Sequence, residues 1–506
     1  MGYTIAMLTS NLPLTLYGAG QVRELDRLAI EKYSIPGYTL MRRAAESAYL
    51  LMQQLWPNSR SILVICGVGK NGGDGYLLAS LAQADGKQVS VLQAGDGAGL
   101  QGDAANAWKQ WQDGGGHTLP HEYIETAIHE ADIIIDALVG TGLQRDISGQ
   151  WAAWIDLLNQ SSKPILAIDV PSGIDADTGM VKGVAVNAHA TVTYIGLKPG
   201  LLTGFGPDHT GRLFYDDLEV PEALFNQLKS GQRVLDESCL SDMLRARPRN
   251  SHKGMCGHVL VIGGDTGMAG AVRLAAEASA RVGAGLVTIA TRSQHAAQIT
   301  ANRPELMCHG VDTAAQLEPL LRKASVVAIG PGLGQTDWAV ELLNEVMKTQ
   351  LYLVVDADAL TLVARDAQKR GRWILTPHPG EAATLLGCSV QQVQEDRFSA
   401  IKAICDRYHC VAVLKGVGSL VQAAYEESVY LCRQGNPGMA TAGMGDVLTG
   451  IIAGLLAQGL SLNDAARCGV LVHAMAADLA AQEGQRGLLA SDLFPFLRRV
   501  VNPVRP

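Results

Sequence analysis

Positive charge is in short supply in this sequence: 41 Lys and Arg stand against 49 Asp and Glu, a formal charge of −8 over 506 residues. A protein that grips a nucleic-acid backbone needs clustered Lys and Arg, so nucleic acid is excluded as a partner and small molecules are favoured. Paired cysteines are missing too. The nine are odd in number, scattered and never in a C-x-x-C arrangement, which points to reduced thiols in the cytoplasm. No apolar run is long enough for a bilayer. The most apolar, Val447 to Leu460, is short and broken by glycines, so it reads as a buried core helix and no membrane role is expected. Met1 to Tyr17 has no basic leader ahead of its apolar stretch and reads as a loose tail.

What is present is the material of a large α/β enzyme. The chain exceeds what one hydrophobic core supports, so two domains of ordinary size are expected. Hydrophobic residues reach 47%, charged residues 18%, and glycine 56 copies, a mix that suits a compact fold with many tight turns. Met41, Ala44, Ala45, Ala48, Leu51, Met52 and Leu55 recur at helical spacing. Apolar, β-branched runs follow at Ser61–Cys66, Val89–Leu92, Asp132–Ala137, Ile165–Val170 and Thr191–Ile195, spaced for crossover helices. A polar stretch, 221–242, carries no strand signal and is the expected boundary. A second series then runs through His258–Ile262, Leu286–Ala290, Val326–Ile329, Leu351–Asp356, Trp373–Thr376, Val411–Leu414 and Leu420–Gln422. Two doubly wound α/β domains are therefore expected, the first on a parallel sheet.

In such sheets ligands bind beyond the carboxyl ends of the strands, so the residues just past each run matter most. Three ends in the first half are unusually polar. The first, Gly67 to Gly75, contains Lys70, Asn71, Gly72, Gly73 and Asp74, where missing Cβ atoms let backbone N–H groups approach a phosphate. It formally fits G-x-G-x-x-G. The acidic residue a dinucleotide site wants at the end of the next strand is absent, since Asp96 comes later, and Lys70 is not followed by Ser or Thr as in a Walker A loop. The second end carries Asp136, then Gly140, Thr141, Gly142, Leu143, Gln144, Arg145 and Asp146, with an Arg able to meet phosphate. The third runs Asp169-Val170-Pro171-Ser172-Gly173. Asn71, Asp136 and Ser172 offer hard oxygen donors suited to an alkali cation and not to zinc, which leaves Asp169 as a candidate acid or base.

These three motifs resemble those of the NAD(P)H-hydrate epimerase family, over residues 9–225. The resemblance implies a Rossmann-like three-layer sandwich in which Lys70 to Asp74, Gly140 to Asp146 and Asp169 contact the hydrated cofactor. It also implies K+ on Asn71, Asp136 and Ser172.

In the second half, Gly435 to Asp446 is a Gly-rich turn running straight into the apolar helix from Val447. Such a turn offers unpaired N–H groups and the positive end of a helix dipole to a phosphoryl group. Asp446 at its edge can take a proton from a hydroxyl. This pattern, with H-K-G at 252–254, V-I-G-G at 261–264, G-P-G-L-G at 330–334, D-A-D-A-L at 356–360, L-T-P-H-P-G-E at 375–381 and L-K-G at 414–416, resembles the ADP-dependent NAD(P)H-hydrate dehydratases. These are ribokinase-like proteins, and the match covers 235–502. The resemblance implies that Ala271, Gly332, Gly334, His378 and Asp446 touch the hydrated cofactor, and that Lys415, Gly416, Val417, Gly418, Ser419 and Gly445 hold ADP, with Mg2+ alongside. Implied partners are hydrated NADH or NADPH and ADP, in a homo-oligomer.

Bland roles compete at each position. Asp136 and Asp169 can each merely cap a turn, a His between prolines can simply hold a loop, Lys415 can be a solvated charge, and Asp446 can be a plain helix N-cap. Two other functions also stay open: a ribokinase-like small-molecule kinase, and a first half that binds without catalysing.

Overall fold

The computed structural model describes residues 12–95, 99–301 and 303–502. Asp96, and the expected tail and first domain up to residue 11, lie outside the described residues. The chain forms two compact units that part between Gln232 and Arg233.

The N-terminal unit is built on a sheet of β1 (Ser61–Cys66), β2 (Gln88–Gln93), β3 (Thr118–Leu119), β4 (Ile133–Ala137), β5 (Ile165–Ile168), β6 (Ala190–Tyr194) and β7 (Arg212–Asp216). Its order is β3-β2-β1-β4-β5-β6-β7, and every pair is parallel. Strand alternation sorts β1 between two faces: Ile62, Val64 and Cys66 join one core with the helix Gly37–Leu55, while Leu63 and Ile65 join another with the helix Gly149–Gln160. This gives three layers. The chain winds from β1 outward one way and resumes at β4 the other way. The strand tips of β1 and β4 therefore flank the switch point, where a crevice must open.

The C-terminal unit has β8 (His258–Ile262), β9 (Leu286–Thr291), β10 (Met307–Gly310), β11 (Val326–Ile329), β12 (Tyr352–Val355), β13 (Trp373–Leu375), β14 (Val411–Leu414), β15 (Ser419–Ala423) and β16 (Val429–Cys432). These run in the order β16-β15-β14-β13-β12-β11-β8-β9-β10. The sheet is parallel except at one edge, where β14–β15 and β15–β16 are antiparallel. Only 415–418 separate β14 from β15, too few residues for a crossover. Gln232–Val234 is a strand and Ser238–Met243 a helix within the stretch expected to carry no strand. Three residues are too short for alternation to register. On the sheet, the helices Ala269–Arg281 and Met444–Ala457 meet backbone to backbone. A Cβ on Gly450 would lie 2.0 Å from the Ala275 carbonyl oxygen, and Ser279 Oγ donates to Gly450 O at 2.8 Å.

Candidate functional site

In the N-terminal unit the tips of β1, β4, β5 and β6 line a cavity of about 1050 Å³. Lys70, Asn71, Asp74, Asp169 and the whole of 140–146 border it. Gly72 and Gly73 do not lie in an open loop, because the helix Lys70–Ala84 begins at Lys70. They serve close packing: a Cβ on Gly72 would fall 1.9 Å from the Gly67 carbonyl oxygen. Lys70 is largely exposed and sits 3.6 Å from Asp26.

Asp169 is not a turn cap. It takes a left-handed φ of +69° directly after β5, a conformation costly for a residue with a Cβ and typical of functional sites. Lys198 Nζ donates to its Oδ1 at 2.5 Å, while its other carboxylate oxygen faces Thr141 N at 3.4 Å. Lys198 is completely buried, and its ammonium also donates to Tyr194 O at 2.8 Å and Thr193 Oγ1 at 3.0 Å.

Asp136 and Ser172 meet directly. Ser172 Oγ donates to Oδ1 of Asp136 at 2.6 Å, Ser172 N to Oδ2 at 2.8 Å, and Leu138 N to Oδ1 at 3.2 Å. All three donors are neutral, and the side chain is 1% exposed. A buried carboxylate with only neutral donors wants a counter-charge, and burial pushes its carboxyl up. Asn71 lies at the neighbouring tip, with Oδ1 3.1 Å from where a Cβ of Gly140 would sit. Its buried amide nitrogen has no hydrogen-bond partner among the described residues. Since amide O and N are assigned from their surroundings, this orphan is a second sign that the cluster fits a cation.

In the C-terminal unit the tips of β11 to β14 converge. Lys415, just past β14, donates to Asp356 Oδ1 at 2.6 Å and lies 3.6 Å from Glu381. Asp356, just past β12, is 1% exposed and takes a second bond from Thr449 Oγ1 at 2.7 Å. Lys415 is therefore no solvated surface charge. Gly445 adjoins it, with a Cβ position 3.3 Å from Lys415 Nζ. Asp446 sits in the first turn of Met444–Ala457, whose N-cap is Gly443, so Asp446 is not the cap. No described residue donates a hydrogen bond to it. Burial, then the charges of Asp356, Asp358 and Glu381 against that of Lys415, push its carboxyl up to about 7.

His378 does hold its loop. Its Nδ1 accepts from Gly380 N at 2.9 Å and Glu381 N at 3.2 Å, capping Pro379–Leu386. The ring remains more than half exposed and borders a cavity of about 280 Å³ with Asp358, Thr361 and Glu381. Gly332 and Ala271 are neighbours: a Cβ on Gly332, whose φ is +57°, would lie 3.2 Å from the Ala271 Cβ. Gly334 N donates to Asp358 at 2.9 Å. Gly416 to Ser419 form the β14–β15 turn, in which Ser419 Oγ donates to Gly416 O at 3.0 Å and Val417 points outward. The guanidinium of Arg397, 2% exposed, underpins that turn through the carbonyls of Leu414, Lys415 and Gly418.

Sequence reasoning gave no role to Lys198, Asp26, Thr449 or Arg397, and none to Asp356 or Glu381 beyond their place in motifs. Asp356 follows its strand immediately, so the rule that found Asp169 could have found it, whereas Lys198 lies four residues past Tyr194 and reaches the tip only through the following turn. Thr449 and Arg397 sit on helices and reach the site through the fold.

Comparison with known proteins adds two family models. One described as NAD(P)H-hydrate dehydratase matches residues 259–499, and one described as YjeF-related protein N-terminus matches 37–200. The bifunctional NAD(P)H-hydrate repair enzyme of Coxiella burnetii is 50% identical, over 96% of this chain and 99% of its own. That of Escherichia coli is 44% identical, over 97% and 95%. A crystal structure of a ribokinase-like superfamily protein from Enterococcus faecalis aligns with a TM-score of 0.51 at 29% identity, covering 54% of this chain and 96% of that one. Near-complete mutual coverage at half identity, across two units that each carry a strand-tip crevice, makes the chain a member of the family of bifunctional NAD(P)H-hydrate repair enzymes.

Proposed function

We propose that the N-terminal unit interconverts the R and S hydrates of NADH and NADPH, and that the C-terminal unit uses ADP to dehydrate the S form. Hydroxide is a poor leaving group, so phosphoryl transfer to the hydrate oxygen followed by loss of phosphate lowers the barrier. Asp446 takes the hydroxyl proton, the N–H groups of the turn before Met444–Ala457 face the transferred phosphoryl, and the ring nitrogen drives phosphate out. The products are the reduced cofactor, AMP and phosphate.

The observation that carries this reading is Asp446, lodged without a hydrogen-bond donor at the positive end of an apolar helix and adjoining the Lys415–Asp356 pair. Gly445 and 415–419 are the nucleotide's contacts, and Ala271, Gly332, Gly334 and His378 the substrate's. Asp358 and Glu381 would be the oxygen donors for Mg2+, which would screen the phosphates of ADP. In the N-terminal unit 70–74, 140–146 and Asp169 hold the hydrated cofactor, and K+ sits on Asn71, Asp136 and Ser172 as the missing counter-charge. Size-exclusion chromatography and cell fractionation test the accompanying expectation of a cytoplasmic homo-oligomer.

Incubation with hydrated NADH and ADP decides the main point. Return of reduced-nicotinamide absorbance with stoichiometric AMP supports the reading. A stable phosphorylated product would instead make the second half a kinase. For potassium, hydrate interconversion should fall when K+ is exchanged for Li+, and Asp136→Asn should remove that difference.

A further inference from the structure

We propose that Asp74 and Asp169 divide the inversion between them, Asp74 protonating the departing hydroxyl and Asp169 taking a proton from the incoming water, with Lys198 as the positioning residue for Asp169. This rests on the epimerase reading of the N-terminal unit.

Both carboxylates border the same cavity, in opposite environments. One oxygen of Asp169 is held by the Lys198 ammonium at 2.5 Å, with Thr193 Oγ1 at 3.4 Å, and the other faces the cavity wall formed by Gly140 and Thr141. Held by the ammonium on one oxygen, Asp169 keeps the other at the cavity, placed to accept a proton. Asp74 is 9% exposed and receives no hydrogen bond from any described residue. The charged groups that face it are Asp169 and Asp26, of its own sign, against Lys70. Burial first, and then those two carboxylates, push its carboxyl well above the ordinary range, which favours its neutral, proton-bearing form. Two carboxyls in one site with environments this unlike are the signature of an acid and a base. Lys198 is not the acid. Its three N–H bonds are taken by Asp169, Thr193 and Tyr194 O, and it is fully buried.

The chemistry balances without a further reagent. The hydrate hydroxyl sits on a carbon next to the ring nitrogen. As the C–O bond breaks, the nitrogen lone pair forms the C=N bond, and the Asp74 proton leaves with the oxygen as water. Water then adds to the other face, making a new C–O bond. Its proton passes to Asp169, and the C=N pair returns to nitrogen. Asp169 returns the proton to Asp74 through solvent. The hydroxyl oxygen is therefore exchanged at each inversion, whereas a route through C–N cleavage and ring reclosure keeps it.

The test follows the purified R hydrate in 18O-labelled water with the full-length enzyme, after subtraction of the enzyme-free rate. The wild type should take up one 18O per inversion. Asp74→Asn should lose inversion and exchange together by at least about a hundredfold, with Asp74→Glu restoring part of both. Lys198→Met should keep one 18O per inversion but lower kcat with KM little changed, and Lys198→Arg should restore part of kcat. Hydrogen exchange across 37–84 and undiminished dehydration of the S hydrate check that each variant is folded. Inversion without 18O uptake, or Asp74→Asn as fast as wild type, overturns the division alone. A wild type that does not interconvert the hydrates overturns the epimerase reading and the division with it.

Discussion

Replacing Asp446 by Asn should make the C-terminal unit more stable while it stops dehydrating the hydrate. The Asp446 carboxyl is pushed from its ordinary 3.8 to about 7. At 1.36 kcal/mol for each pH unit, keeping it ionised in the folded unit costs about 4 kcal/mol. The sign follows from proton binding. Between pH 3.8 and about 7 the folded state holds a proton on Asp446 that the unfolded chain has released, so stability falls as pH rises through that window, and the loss is complete above it. Asn is neutral throughout and has no donor to lose, since none reaches Asp446. With the side chain partly open to solvent, the expected gain at pH 8 is about 2–4 kcal/mol, shrinking to nothing near pH 4. Urea denaturation of the full chain, read by hydrogen exchange in peptides from 444–480, resolves this unit from the other. An Asp446→Asn protein no more stable than wild type at pH 8, or equally favoured at both pH values, refutes the reasoning. The active site would then not be storing the strain assigned to it.

On the proposed mechanism, the same carboxyl should set the pH dependence of the wild type. Dehydration needs the ionised form, so kcat/KM should rise about tenfold per pH unit up to about 7 and then level off, as a coupled absorbance assay will record. Lys415→Met strips the cation from Asp356 and Glu381 and should destabilise the C-terminal unit by about 3–5 kcal/mol. Adding Asp356→Asn should recover much of that in a double-mutant cycle. Gly450→Ala sets two effects against each other: helix propensity favours Ala by up to about 1 kcal/mol. The new Cβ at 2.0 Å from Ala275 O forces the helices apart, so thermal unfolding should show a net loss of about 1–3 kcal/mol.

The sheet cores and strand tips were the legible part. Ser61–Cys66 and His258–Ile262 are unbroken apolar runs because both faces are covered, and the polar residues after them had no packing reason to be there. Asp136 and Ser172 were readable as neighbours on that ground alone, since a parallel sheet aligns its carboxyl ends. Short or edge strands were not legible: Thr118–Leu119 has two residues, and the Met-Cys-His-Gly of Met307–Gly310, an edge strand partly open to solvent, carries no apolar–polar alternation. The antiparallel edge was written in the spacing of Leu414 and Ser419, which leaves no room for a helix, yet the apolar runs either side look like any other strands. Partners brought from elsewhere were invisible. Thr449 reaches Asp356 across 93 positions and Arg397 reaches Lys415 across 18, and neither distance leaves a local trace.

Arg397 has an implication of its own. Because a buried guanidinium already ties down the carbonyls of Leu414, Lys415 and Gly418, the loop keeps its contour when no guest is present. On the proposed reading, an arriving nucleotide would meet a finished mould and forfeit no affinity to freezing a floppy segment. Exchange of one nucleotide for the next can then be fast without the receptacle collapsing between turnovers.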